Sequence, residues 1–191
     1  GHFDLAWHIK AGDLYRSSGQ LIKIDPWSYT TSTYTWLNPS WLWDIFVSHI
    51  HQNWNFPGIH VVFSIIASII FILILFLCLS FNKSFLSSFF ASFICILFCT
   101  FYALPDAPVS ASVQTMTLLF FLILILALVQ KSNFILMLMP IIFLLWQNIQ
   151  GGYLLGFGVL FFAILVNLFV EKQRLHLRFQ ILSLFLCLVV F

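Results

Sequence analysis

Asp4 and His8 stand four residues apart in a stretch whose pattern predicts a helix from about Phe3 to Ser17. That spacing places both side chains on one helix face, one turn apart. A carboxylate beside an imidazole is a workable acid–base pair, or part of a metal site. The plainer reading is a surface pair, with Asp4 in the first turn because the helix dipole favours an acid there. Phe3, Trp7 and Leu14 are expected to form the apolar stripe of this helix, with Asp4, His8 and Tyr15 beside it. Gly19 is a plausible stop.

A second short helix is predicted from about Ser40 to His51. Trp41, Leu42, Ile45, Phe46 and Ile50 cover most of its circumference. Asp44, Ser48 and His51 form a narrow polar stripe, read as the wet edge of a helix lying on a membrane surface. Between the two helices, Asp25-Pro26 opens a turn. Tyr29 to Trp36 then alternates aromatic and hydroxyl residues as an extended segment would. Cys95 and Cys99 lie one turn apart, but no His or carboxylate shares their run. They read as small apolar residues rather than a metal or redox pair.

The elements that position these groups follow from composition. Hydrophobic residues are 62% of the chain and charged residues 7%. A soluble fold could not cover its surface with so few charges, whereas lipid removes that need. Six apolar runs are predicted as spanning helices: about 58–81, 84–103, 113–130, 134–147, 153–170 and 177–191. The fourth contains Pro140, a possible kink. Loops at Lys83, at Lys131 and at Lys172, Arg174 and Arg178 fall on one side and hold five of the eight Lys and Arg. The positive-inside rule puts them in the cytoplasm. Residues 1–57 and the loops at 104–112 and 148–152 then face outward. Asp4, Asp13, Asp25, Asp44 and Asp106 are all on that outer side, with Glu171 alone inside. Six of the seven Trp fall within residues 1–57, as suits a segment lying at headgroup level. The fold expected is all-α: a polytopic transmembrane helix bundle of about six helices, 58–191, with a membrane-surface outer segment containing two short amphipathic helices. The first residue is Gly1 and Phe191 lies within an apolar run, so further helices are expected beyond both ends. No basic nucleic-acid-binding patch is present, so nucleic acid is not expected as a partner.

Several short motifs combine into a recognisable order. Asp4 precedes Trp7-His8 and Gly12; then come Asp25-Pro26-Trp27-Ser28-Tyr29-Thr30 and Trp36-x-Asn38-x-x-Trp41-Leu42. Leu145-Trp146-Gln147-Asn148-Ile149-Gln150-Gly151-Gly152-Tyr153 follows much later. This order resembles the bacterial integral-membrane glycosyltransferases of the GT-C fold, near the protein-mannosyltransferase and aminoarabinose-transferase families. It departs from them at Pro39-Ser40, where relatives carry His-Glu, at Gln150, where they carry His, and at Ser112-Val113-Gln114, where they carry Arg-Pro-Gln.

The resemblance implies sugar transfer from a polyprenyl-phosphate donor to a lipid or glycan acceptor on the outer face of the bacterial plasma membrane. By position, Asp4 would be the essential acid of the first outer loop, either a base or the holder of a divalent cation, Mg or Mn. His8 would orient it or share its proton. Lys10 and Arg16, with Lys23 as a third, would meet the donor phosphate, or else touch lipid headgroups. Asn148 and Gln150 would reach the same site, or else serve as a polar helix cap and connection. The alternatives are an inactive membrane relative, which the three departures favour, and a transporter. A transporter fits less well, because the apolar runs lack ionisable residues near mid-membrane.

Overall fold

The computed structural model describes residues 3–30, 35–101, 112–171 and 174–189. Seven α-helices run in the order α1 (Phe3–Ser18), α2 (Trp41–Phe81), α3 (Phe85–Phe101), α4 (Gln114–Val129), α5 (Asn133–Ile149), α6 (Tyr153–Val166) and α7 (Arg174–Val189). A π-helical segment, Asn167–Glu171, continues α6. An all-helical fold is therefore present, and each predicted apolar run is helical over its described residues. No strand occurs among the described residues; an isolated antiparallel bridge joins Ile24 to Thr35. The middle of the expected extended segment, the 104–111 part of the outer loop with Asp106, and Lys172 lie outside the described residues.

The second short helix and the first apolar run are both helical and follow one another within α2, which is broken between them by a kink at Asn55, whose φ is 52° and ψ −157°. Pro57 explains the bend. It has no N–H for the helical ladder, and its ring pushes the preceding backbone out of the α region. Asn enters positive φ mainly in the left-handed helical well, and the ψ of −157° puts Asn55 outside it, in a strained backbone conformation. Pro140, by contrast, sits inside α5 without interrupting it. By length and composition, α2 and the helix spanning Tyr153–Val170 are long and apolar enough to cross a membrane.

The first helix packs on the N-terminal part of α2, before the kink. His8 meets Asp44, and Arg16 meets Ser48 and Gln52, so the two helices run in the same direction. The face α1 buries is Leu5, Ile9, Ala11, Gly12 and Tyr15, while of the expected stripe Leu14 is half-buried and Trp7 faces outward; the Phe3 side chain lies outside the described residues. Trp7 is 48% exposed. The reason is close approach. A Cβ added at Gly12 would stand 2.0 Å from the Asp44 carbonyl oxygen and 2.5 Å from the Ser48 Cβ. Only the small Ala11–Gly12 face lets the two backbones come together, and large apolar side chains would hold them apart. For the same reason the expected wet edge of the second helix is inverted: Asp44 and Ser48 are buried against α1.

The rest of the bundle alternates in direction. At the α1 end, the starts of α2, α4 and α6 meet the end of α5 through side chains of Trp41, Thr117, Asn148 and Gln150. At the far end, Phe81, Leu128, Lys131, Asn167 and His176 come together from α2, α4, α6, α7 and the α4–α5 turn. Trp146 and Phe143 are fully buried between these ends and pack on Phe120 and Phe157. Large apolar side chains such as Ile65, Phe76, Phe134, Phe162 and Phe185 cover the outside of the helices.

The α4–α5 turn is a Schellman motif. The Ser132 N–H donates to the Ala127 carbonyl at 2.9 Å, and the Lys131 N–H donates to the Leu128 carbonyl at 3.2 Å. Its left-handed position, usually Gly, is Lys131 at φ 53°. Holding an L-residue there costs roughly 1 kcal/mol. Lys131→Gly is expected to raise unfolding stability by up to about 1 kcal/mol, read by denaturant unfolding in detergent. Gly12→Ala is expected to lower it by about 1–3 kcal/mol, the usual cost of overpacking a tight contact.

Candidate functional site

Asp44 lies in the first turn of α2, where the helix N-terminus favours a carboxylate. Its side chain is 1% exposed. A buried carboxylate is costly unless its oxygens are met by donors. Each oxygen has one: His8 Nδ1 lies 2.5 Å from Oδ1, and Asn38 Nδ2 donates to Oδ2 at 2.6 Å. An ionised carboxylate only accepts, so Nδ1 is the donor in this contact, and in the neutral imidazole that leaves the lone pair on Nε2. Nε2 has no hydrogen-bond partner among the described residues, and the His8 side chain is 16% exposed. The pair is thus an oriented imidazole with one nitrogen held and the other open to solvent.

Asn38 also donates to the Tyr15 hydroxyl at 2.8 Å, and its own Oδ1 accepts from the Ser40 N–H at 3.0 Å. It is held by the segment that crosses from α1 to α2. That segment turns at Asp25, whose Oδ1 accepts from the backbone N–H groups of Trp27 and Ser28, as the Asp-Pro pair predicts. It is strapped to α1 by rings. Trp27 lies 4.5 Å from Trp7 and 4.9 Å from Trp36, and Trp36 stacks on Tyr15 at 6.3 Å. Gly19 ends α1 at φ 67°, with its N–H on the Tyr15 carbonyl, as expected.

A polar seam continues along the same interface. Ser48 Oγ donates to Asp13 Oδ1 at 2.7 Å and accepts from Arg16 Nη1 at 3.3 Å, while Arg16 Nη2 donates to Gln52 Oε1. Asp13, Arg16, Ser17, His51 and Gln52 line an open cleft of about 420 Å³.

The residues singled out from the sequence divide into four groups. His8 and Arg16 belong to the α1–α2 seam. Asp4 and Lys10 lie on the same helix, exposed, with no hydrogen bond or ion pair among the described residues. The partner of His8 is Asp44, thirty-six residues away, and not Asp4. Asn148 and Gln150 tie helices together. Asn148 Oδ1 accepts from Trp41 Nε1 at 2.8 Å. Gln150 Oε1 accepts from Thr117 Oγ1 at 2.6 Å and from the Gly152 N–H. Lys23 lies in the crossing segment, where its carbonyl accepts from the Trp36 N–H at 3.0 Å. Asp44 and Asn38 are missed by reasoning from local spacing. The available signal is a lone carboxylate on a helix otherwise apolar nearly all round.

A divalent cation, which the resemblance implies, finds no ligand set here. Among the described residues no three His, Cys, Asp or Glu side chains gather, and exposed Asp4 has no second ligand beside it. Comparison with known protein families, with curated proteins and with solved structures finds no match.

Burial holds the Tyr15 hydroxyl above its ordinary pKa of 10.0, with the Asp44 carboxylate adding to the rise and the Asn38 hydrogen bond opposing it. The folded state therefore binds the phenolic proton more tightly than the unfolded chain. The contribution is fully present below the ordinary tyrosine pKa and is lost as pH rises through the folded value. Unfolding stability is expected to fall as pH is raised above about 10, and Tyr15→Phe is expected to flatten that slope. Denaturant midpoints measured across that alkaline range check it.

Proposed function

We propose that this protein is a multi-pass membrane glycosyltransferase of the bacterial plasma membrane. It moves a sugar from a polyprenyl-phosphate donor to a lipid or glycan acceptor at the outer face. One observation carries the reading: a buried carboxylate, Asp44, grips His8 Nδ1 and leaves Nε2 open, in the outer segment that the sequence motifs single out.

The membrane part is supported by two long apolar helices, by large apolar side chains on the outside of the bundle, and by the collection of basic loops at the end away from α1. With those loops cytoplasmic, the α1–α2 seam lies on the outer side.

In the reaction proposed, the acceptor hydroxyl oxygen attacks the anomeric carbon of the donor. His8 Nε2 takes the hydroxyl proton, and Asp44 steadies the resulting imidazolium. The bond from the anomeric carbon to the phosphate oxygen breaks, and the polyprenyl phosphate leaves with the electron pair. Arg16, held by Ser48 and Gln52 at the edge of the cleft, meets the developing phosphate charge, with Lys10 on the same helix. Asn148 and Gln150 act at a distance, by fixing Trp41 and the α5–α6 junction. Asp4, one turn before His8, is the competing base.

Transfer from a labelled polyprenyl-phosphate sugar in reconstituted membranes separates these roles. Asp44→Asn keeps the shape, but its amide donates to Nδ1 and moves the His8 proton to Nε2. That tautomer is wrong for a base, and the rate is expected to fall by about 10²–10⁴. His8→Ala is expected to fall comparably, and Asp4→Ala only slightly. Undiminished transfer by both Asp44→Asn and His8→Ala would sink the dyad; loss in Asp4→Ala alone would move the base to Asp4. A second reading, an inactive membrane relative, is favoured by the engagement of Gln150 in a helix junction where relatives carry His.

A further inference from the structure

The packing of α1 leaves three groups near its start open. Trp7 is 48% exposed, although its ring also helps to strap the crossing segment to α1. Asp4 is exposed, with no hydrogen bond or ion pair among the described residues. His8 leaves Nε2 open while Asp44 holds Nδ1. The helix brings the three together. Asp4 stands three residues before Trp7 and four before His8, so it neighbours both and lies between them on the helix surface.

Each group asks for a different feature in a ligand. The indole of Trp7 offers a flat apolar face whose negative side attracts polarised C–H groups. The Asp4 carboxylate only accepts hydrogen bonds, and so does Nε2 of the neutral imidazole. A ligand that suits all three has an apolar C–H face and hydroxyl donors round its edge. A pyranose ring is built in that way, with C–H groups gathered on one face and hydroxyls at the rim.

Two other occupants fit less well. A quaternary ammonium is held between aromatic faces set apart as a cage. Here Trp27 packs on Trp7 at 4.5 Å and on Trp36 at 4.9 Å, so the rings close on one another and form a platform. An anionic lipid headgroup would place its charge beside the Asp4 carboxylate. The Lys10 ammonium belongs to the turn on the other side of Trp7 from Asp4. The same ring contacts hold the platform in place before a ligand arrives, which lowers the cost of binding.

We propose that Trp7, Asp4 and His8 form the seat of an acceptor sugar. Its C–H face lies on the Trp7 indole, neighbouring hydroxyls donate to Asp4, and the reacting hydroxyl donates to His8 Nε2. The acceptor is thereby a glycan and not a plain lipid alcohol. Its assignment as acceptor rests on the reading of His8 as the base of sugar transfer, and Asp4 takes a binding task in place of a proton.

Binding is tested without transfer. The full chain in phosphatidylcholine nanodiscs is titrated with the methyl glycosides of glucose, galactose and mannose and followed by saturation-transfer NMR. At least one glycoside is expected to be saturated at the protons of its C–H face. Trp7→Ala and Asp4→Ala are each expected to weaken that binding by about tenfold, as loss of a ring contact or of a charge-assisted hydrogen bond would. Asp4 has no bonded partner to lose, so its variant keeps the fold even where Trp7→Ala disturbs the strap. No saturation with any of the three glycosides, or binding unchanged in Asp4→Ala, would overturn the seat. Displacement of the glycoside by equimolar choline would also overturn it, as an ammonium site. In the transfer assay, Asp4→Ala is expected to raise the acceptor KM by about tenfold with kcat nearly constant. A fall in kcat with KM unchanged would overturn its binding task. Glycoside saturation without any transfer by the wild type would sink the transferase reading and leave a sugar seat; transfer without saturation would sink the seat alone.

Discussion

A carboxylate taken out of water has to be given donors, and Asp44 imposes that condition on the whole α1 end of the molecule. Its two oxygens require His8 from α1 and Asn38 from the crossing segment. To deliver His8, α1 must lie almost in backbone contact with α2, which the Gly12 position permits. To deliver Asn38, the crossing segment must be pinned, which the Trp7, Trp27, Trp36 and Tyr15 rings accomplish. The acid, the glycine and the aromatic strap thus serve one demand. Removing the glycine or the strap leaves the buried Asp44 charge short of a partner, which is more damaging than the loss of one contact.

The apolar helices are readable in the sequence because a run of about twenty apolar residues has few other fates. Gly19 and Asp25-Pro26 are readable because their conformational preferences are local. The break at Asn55 is readable, because Pro57 marks it and a helical pattern stands on each side. The partner of His8 is not readable at all from spacing. A nearby acid at Asp4 satisfies the i, i+4 rule, yet the interface is set by where two helices approach most closely, and that is decided by Ala11 and Gly12 rather than by charge. The same tertiary choice turns the Asp44–Ser48 stripe inward when its amphipathic pattern suggests water. Asn148 and Gln150 are legible as polar residues at a helix end, and the structure gives them the connecting role that such a position ordinarily has.

The polar side chains of the bundle are concentrated at its two ends. One end carries the Asp44 seam and the Trp41, Thr117, Asn148 and Gln150 ties; the other carries Asn167, Gln180, His176 and Asn133. Between them the core is Trp146, Phe143, Phe120, Leu124, Leu136 and Met139. Apolar packing alone tolerates sliding and rotation of one helix on another, whereas directional hydrogen bonds at both ends do not. The middle supplies contact area, and the ends supply register.

The break at Asn55 has a mechanical side. A continuous helix is stiff because each turn is bonded to the next, and Pro57 removes one of those bonds just where the chain already departs from helical geometry. Bending stiffness is therefore lowest there. The part of α2 before the kink is joined to α1 by the Asp44 seam, so a bend at Asn55 would carry both helices together. His8 and Asp44 lie on the same side of that break, and their contact does not depend on the angle it takes.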